Sequence, residues 1–476
     1  MPIESIIFCI FSCMKCRVGM KIAFLFAINL CIACSDKEPS AEELLNEVQK
    51  NVVLTRDSLG PETWLEVEKN ETVKICMDSK VRLWKTSLAS EILNASCLKI
   101  QVPTLIGVYS INVQFYDTDS AYKINLAVGM KYLDFKNEEV LLGYNNADPK
   151  RFASITGAYL VDKYPVTNCE IVQLMWDGIP TTTAFITPEQ REWVNRKKAS
   201  KRNEICDAHD SAAKMIFLFQ AMMYANNRSI KEGLKPYYLF SNLQTNYDIF
   251  EKKNNEYHRK NKKEKNQSLD SILAKSLSRP PIYHQESRST SRILSKGKYV
   301  IANHDFIGHG NNVSLVTVDY SSDGYRLPFY DEWMMLARGG DKKNYALWDD
   351  STKNIEDVLK YAKFGTAKKE YDSEPVGQLL PNGYGLYDIF GLVWEHVVFE
   401  EKNPFSFLEG NASCLKGGDN KVRLYKKEDA VFSVNPIWTD IGFSYSKINS
   451  NAHELAGFRL VRNIGNSAKW TEVKSN

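Results

Sequence analysis

The sequence predicts an α+β protein in two parts: a small β-sandwich-like module, followed by a larger, loop-rich domain that carries the helices. Three observations predict it. Between residues 71 and 137, short β-branched and aromatic runs are separated by polar or Gly/Pro punctuation. Beyond residue 138 helix signals appear, with capping residues at their starts and a glycine stop. Aromatic residues are plentiful, nine tryptophans among them, which suits a core resting on large rings rather than on long aliphatic helices.

Length and charge bound the function before any motif is weighed. A chain of 476 residues can bury a full core and fits two or three domains. Its 61 Lys and Arg nearly balance its 58 Asp and Glu, which excludes the one-signed field that recruits nucleic acid. Five of the ten cysteines lie at or before Cys34. The others, Cys76, Cys97, Cys169, Cys206 and Cys414, form no C-x-x-C metal pair and, being odd and scattered, no disulfide framework. A Cys76–Cys97 bridge is open to an oxidising compartment, with free buried thiols the preferred reading.

Taken in order, residues 1–34 form an export signal. Met20-Lys21 opens a positive segment, and residues 22–33 are apolar or small except for Asn29, too short a run to span a bilayer as a helix. Ala33-Cys34 resembles a lipobox, in which the cysteine is lipidated and becomes the mature N-terminus. More than one acyl chain on Cys34 gives stable anchoring. The expected address is the bacterial cell envelope, lipid-anchored in the outer membrane, with translation starting at Met14 or Met20.

Residues 35–70, polar and acidic around Pro39, are expected to be a tether and lead-in. In the module at 71–137, strands are expected over 72–76, 81–85, 98–102, 107–116 and 122–128; Ile111, Val113 and Phe115 alternate with Asn112 and Gln114. The larger domain spans 138–465, with a short tail at 466–476. Thr187-Pro188-Glu189-Gln190 is a capping box leading a helix over 191–198. A second helix is expected over about 210–227, where Ala213, Ile216, Phe217, Met223 and Tyr224 recur at core spacing. A third starts near Asp331 and stops at Gly339-Gly340. Residues 242–295, rich in Lys, Asn and Ser, are expected to be a solvated insertion.

Within the larger domain an ordered series of motifs stands out. Leu142-Gly143 and the run from Ala158 through Asp162-Lys163-Tyr164-Pro165-Val166-Thr167-Asn168 come first, then Met223-Tyr224-Ala225-Asn226. Gly324-Tyr325-Arg326-Leu327-Pro328, Asp331-Glu332-Trp333 and Ala337-Arg338-Gly339-Gly340 follow. The series ends with Asn382-Gly383-Tyr384-Gly385-Leu386-Tyr387-Asp388, Gly391-Leu392-Val393-Trp394-Glu395, Lys416-Gly417-Gly418 and Gly457-Phe458-Arg459. In this order they resemble the formylglycine-generating, or sulfatase-modifying-factor, family. The resemblance implies a C-type-lectin-like α+β fold with long loops. From the residues themselves, the glycines suit turns, Trp333 and Trp394 offer buried area with a donor to satisfy, and Arg326, Glu332 and Arg459 suit charge-assisted hydrogen bonds that fix loops.

The same resemblance implies a chemistry that these residues do not supply. Active members oxidise a substrate cysteine to formylglycine with O2 and copper held by two thiolates. An ungapped count from Gly417-Gly418 puts Val422 and Lys427 at about those positions, and no cysteine follows Cys414. Copper is therefore not expected. The family's calcium sites are weakened, because Leu392 replaces the asparagine of Gly-Asn-x-Trp-Glu and offers no oxygen, while Glu395 keeps the liganding position. A further candidate for iron or zinc is His304, Asp305 and His309, with a polar loop the preferred reading.

The expected function is thus a lipid-anchored envelope protein that binds or scaffolds without catalysing, in an envelope, secretion or gliding complex, with a protein, surface glycan or peptide as partner. The alternative is a metal-dependent oxidoreductase of the same superfamily with a rearranged site.

Overall fold

The fold, a computed structural model, is described for residues 49–60, 62–142, 151–171, 173–174, 211–214, 216, 218–243, 290–304, 311–340, 355–364, 374–400, 413–418 and 456–473. Residues Lys50–Asn476 make one compact unit. Alternating side chains build its N-terminal part: β1 (Lys50–Leu54), β3 (Thr72–Met77), β6 (Cys97–Gln101) and β5 (Ser90–Asn94) lie side by side in that order. A second sheet orders β2 (Glu62–Val67), β8 (Ala121–Val128), β7 (Gly107–Phe115) and β4 (Val81–Thr86). Val73, Ile75, Leu98 and Ile100 of one sheet and Ile111, Val113, Ile124 and Leu126 of the other fill one buried core. That is a β-sandwich.

Two boundaries differ from the expected ones. β1 and β2 fall inside residues 35–70, the expected tether and lead-in, so the sandwich starts at Lys50. Each runs parallel to a central strand, β1 to β3 and β2 to β8, and parallel pairing needs no hairpin to announce it in sequence. Nor does the larger domain start cleanly at Glu138: β9 (Met130–Leu142) crosses that point in one piece.

β9 pairs with β10 (Arg151–Asp162), which pairs on its other side with β18 (Val461–Val473). Residues 466–473, expected as tail, therefore belong to a strand; as an outer strand of its sheet, β18 needs no continuous apolar run to hold its place. Short helix α1 (Asn168–Ile171) and helix α2 (Leu218–Lys231) follow. A second sheet orders β11 (Tyr238–Leu243), β14 (Asn311–Val318), β13 (Lys298–His304) and β12 (Thr290–Ser295). β12 and the end of β11 fall within the expected insertion and narrow it; the segment between them lies outside the described residues. Helices α3 (Tyr330–Arg338) and α4 (Ile355–Val358) precede a small sheet of β16 (Ser413–Lys416), β15 (Trp394–Val398) and β17 (Ala456–Gly457).

Helix signals behave as their physics dictates. α3 begins where Glu332 turns back to accept the Phe329 N–H at 2.8 Å, and stops at Gly339, whose φ of 62° an L side chain resists. α2 starts later and ends later than its apolar stripe suggests. The helix expected over 191–198 lies outside the described residues.

Sandwich and domain meet along a tightly bonded seam. Gly129 joins β8 to β9, and its N–H donates to Val67 while its carbonyl accepts from Lys163. Glu66 takes Lys131 and the Tyr132 N–H, Glu68 takes Lys163, and Lys69 reaches Glu170 at 3.2 Å. Trp64 and Tyr132 stack with centroids 5.3 Å apart. Ile106, Ala127 and Met130 continue from the seam into the domain core.

Cysteine pairing corrects the preferred reading: Cys76 and Cys97, opposite one another on β3 and β6, form a disulfide. Cys169 is disulfide-bonded too. Spacing alone could not reveal that the strand register sets Cys76 and Cys97 face to face, 4.1 Å apart at Cα.

Candidate functional site

Four distant stretches of sequence converge on one buried carboxylate. Glu395 of β15 and Arg459, just past β17, are both fully buried. The Arg459 Nε donates to both Glu395 oxygens at 2.9 Å and its Nη2 to Oε1 at 2.6 Å, a two-pronged grip. Trp333 of α3 adds its indole N–H to Glu395 Oε2 at 2.7 Å. Arg459 also donates to the carbonyls of Asp162, Lys163 and Tyr387. One guanidinium thus ties β10, the 382–388 loop and β15 together.

The glycines serve this centre. Gly417 has φ of 93°, and a Cβ there would meet the Ile389 carbonyl at 2.6 Å and the Trp333 ring at 3.3 Å. Its own carbonyl accepts from Gly391 at 2.7 Å, so the Gly391–Glu395 turn and the Gly417-Gly418 turn lean on one another. Leu392, in the asparagine position, is fully buried with φ of 62°. Asp388 is buried as well: its Oδ2 accepts from the Gly377 N–H at 2.6 Å, while Oδ1 has no hydrogen-bond partner. Burial pushes the Asp388 carboxyl above the usual carboxylate range, opposed by that hydrogen bond and by Arg459 and Lys363.

A second pair stands beside the first. Arg326 grips Glu332 through Nη1 at 2.6 Å and Nη2 at 2.7 Å, with the Tyr159 hydroxyl on Oε1 and Asn463 completing the set. In a third, Arg228 of α2 donates to Asp162 at 2.7 Å and covers the Tyr325 ring at 3.9 Å. Trp394 begins β15, half-buried. Asn168 opens α1, its N–H on the Ser211 carbonyl.

Two residues carry more than their sequence context suggested. Asn226, part of the Met223-Tyr224-Ala225-Asn226 motif, caps the edge of β11: its amide gives one hydrogen bond to the Tyr238 carbonyl and takes one from the Tyr238 N–H. Its signal was a polar residue on the buried stripe of a helix. His396 is buried, with Nε2 2.7 Å from the Ile216 carbonyl and Nδ1 unpartnered. Desolvation lowers its pKa to about 4.

His304 ends β13, registered opposite Asn311, while Asp305, His309, Val422, Lys427 and Cys34 lie outside the described residues. Glu395, expected as a cation ligand, instead has both oxygens engaged by Arg459 and Trp333, and its charge is neutralised within the core. Among the described residues no group of three His, Cys, Asp or Glu could hold a metal. Among the described residues one cysteine outside a disulfide, Cys414, is buried in the core beside Val397 and Phe399, whereas copper(I) chemistry of this kind asks for two thiolates. At this centre Asp388 Oδ1 is a buried oxygen without a hydrogen-bond partner, whereas calcium takes six or more oxygens.

Comparison with known proteins extends this geometry. A family model described as "Sulfatase-modifying factor enzyme 1-like domain" matches residues 123–464. The "Inactive C-alpha-formylglycine-generating enzyme 2" of Mus musculus is 39% identical over 77 residues, 15% of this chain and 25% of that protein. The "Formylglycine-generating enzyme" of the same organism is 31% identical over 132 residues, 24% of this chain and 35% of that one. The chain thus spans a quarter to about a third of the length of these curated relatives. Among solved structures it is similar to Treponema denticola variable protein 1, at 18% identity and a TM-score of 0.37, over 75% of this chain and 99% of that one.

Proposed function

This chain belongs to the sulfatase-modifying factor family, and from that membership we propose that it is a lipid-anchored cell-envelope protein whose formylglycine-generating-enzyme-like domain recognises a partner and catalyses nothing. One observation carries the reading. No cysteine follows Cys414 in the sequence, and Cys414 is itself packed into the core, which supports a domain without the two-thiolate copper site. That one of the relatives is described as inactive is in keeping with this.

Elsewhere the described part of the domain keeps what holds the fold. The Arg459–Glu395 and Arg326–Glu332 pairs fasten the loops, and loops held on a rigid frame suit recognition of a protein, glycan or peptide. Anchoring through Cys34 rests on the lipobox-like Ala33-Cys34. The Cys76–Cys97 disulfide supports an oxidising compartment, since such bonds persist outside the reducing cytosol. No helix among the described residues is long and apolar enough to cross a membrane. An envelope, secretion or gliding complex is the setting we propose.

Metal content tests the reading. The full chain, purified in detergent without chelator and loaded with Cu(I), is expected to retain only traces of copper by mass spectrometry. One tightly held copper or iron per chain would favour the metal-dependent oxidoreductase instead, and loss of that metal on His304→Ala would locate it.

A further inference from the structure

Six Asn-x-Ser/Thr triplets occur in the chain, at Asn70, Asn94, Asn227, Asn266, Asn312 and Asn411. Such a triplet serves as an acceptor of N-linked saccharide where it lies on the surface of an exported protein, so position decides among them. Asn227 is 6% exposed, and its amide nitrogen is engaged by the Leu174 carbonyl. Asn312 lies in β14, between β11 and β13. Asn70 is exposed but stands in the turn whose Glu68 and Lys69 hold the larger domain. Thr72, the last residue of its triplet, is 2% exposed with its hydroxyl on Gln101 at 2.8 Å. Asn266 and Asn411 lie outside the described residues.

Asn94-Ala95-Ser96 is placed differently. It makes the turn of the β5–β6 hairpin, which the Asn94–Cys97 pair closes, and both Asn94 and Ala95 are exposed. The Asn94 Oδ1 accepts the Ser96 N–H at 2.8 Å, a local turn that leaves the amide nitrogen, the atom a saccharide takes, in solvent. Met77 donates to the Ser96 carbonyl and Val81 to the Ala95 carbonyl, each at 2.8 Å, so the main chain of the turn is held while the Asn94 side chain is not. This end of the sandwich is remote from the seam. Val81 lies opposite Phe115 at the end of β7, whereas the seam adjoins the start of β7, where Gly107 lies opposite Val128.

Two further observations agree. Cys97, next after the triplet, is disulfide-bonded to Cys76, and such a bond persists outside the reducing cytosol, on the route where exported asparagines meet saccharide. Ile92 and Leu93, just before Asn94, are 62% and 40% exposed, apolar surface beside which a bulky hydrophilic group adds solubility. We propose that Asn94 is an N-glycosylation site. The donor is an oligosaccharide on a polyprenyl pyrophosphate, and a membrane oligosaccharyltransferase is the catalyst. The Asn94 Nδ2 attacks the anomeric carbon, the new C–N bond replaces the C–O bond to pyrophosphate, the lipid pyrophosphate leaves, and the amide proton passes to the transferase's base. No oxidant or reductant takes part. The site rests on the exported address proposed above and is independent of whether the larger domain catalyses.

The full chain, extracted in detergent from the membranes of its native cells and digested without reduction, is read by peptide mass spectrometry. The peptide holding Asn94 is expected mostly with added hexose or N-acetylhexosamine mass, which fragmentation places on Asn94. Asn94→Gln and Ser96→Ala, both in the turn, are each expected to abolish the added mass and Ser96→Thr to keep it, with the Cys76–Cys97 bond formed in all three. Added mass that survives Asn94→Gln, or that sits on Ser96, would overturn the proposal. Bare Asn94 beside an intact Cys76–Cys97 bond would sink the site alone, whereas bare Asn94 beside free Cys76 and Cys97 thiols would sink the exported address as well.

Discussion

Replacing Arg459 with Met is the most informative perturbation of the domain. It leaves Glu395 fully buried with its counter-charge gone and the Trp333 indole as its remaining donor, and it strips donors from the carbonyls of Asp162, Lys163 and Tyr387. Removing one partner of a buried pair costs about 3–5 kcal/mol, because the other charge stays out of water without compensation. The neighbouring carbonyls add to that, so about 5 kcal/mol is expected. For a unit of this size that corresponds to a fall in Tm of about 5 °C. Urea denaturation followed by tryptophan fluorescence reads it. The double variant Arg459→Met/Glu395→Leu should recover a large part of the loss, since both charges are then absent. A single-variant cost below about 1 kcal/mol, or a double variant no better than the single, would refute the claim that this pair fastens the loops.

Three further outcomes are expected. His396 has a folded pKa of about 4 against 6.5 for the free group, so its contribution is complete above pH 6.5 and is lost as pH falls towards 4. The loss is about 3 kcal/mol, and His396→Gln should flatten that part of the stability–pH curve measured by denaturant titration. Reducing the Cys76–Cys97 bond, or Cys76→Ala/Cys97→Ala, releases a loop of sequence separation 21 and should cost about 3 kcal/mol, seen as a lower urea midpoint for the sandwich signal. A fragment of residues 138–465 should be insoluble or lack near-UV circular dichroism, because it cuts β9, removes residues 466–473 of β18 and strips Ile106, Ala127 and Met130 from the core, whereas residues 50–476 should fold.

Much of the fold was legible in the residues. Five sandwich strands fall within a residue or two of the alternating runs, because burial on one face enforces a period of two. β1, β2 and β5 were not legible: they lie at sheet edges, where half their side chains meet water or make ion pairs and the pattern dissolves into ordinary polar sequence. The second half of β18 is polar in sequence and likewise lies in an outer strand. In the domain, Arg326, Glu332, Trp333 and Arg459 could be recognised as charge and donor groups in need of partners. Which partner each takes could not, because Arg459 reaches Glu395 across 64 residues and Asp162 across 297. Glu395 illustrates the limit well: a carboxylate in a liganding position is a metal ligand or half of an ion pair according to what folds against it.

Turnover tests most directly the proposal that this domain catalyses nothing. The full chain, supplied with Cu(I), O2, a thiol reductant and a peptide bearing the substrate cysteine, is assayed for the aldehyde of formylglycine by mass spectrometry, beside an active family member. The account predicts unmodified cysteine throughout; aldehyde appearing in proportion to this chain and abolished by Cys414→Ala would contradict it.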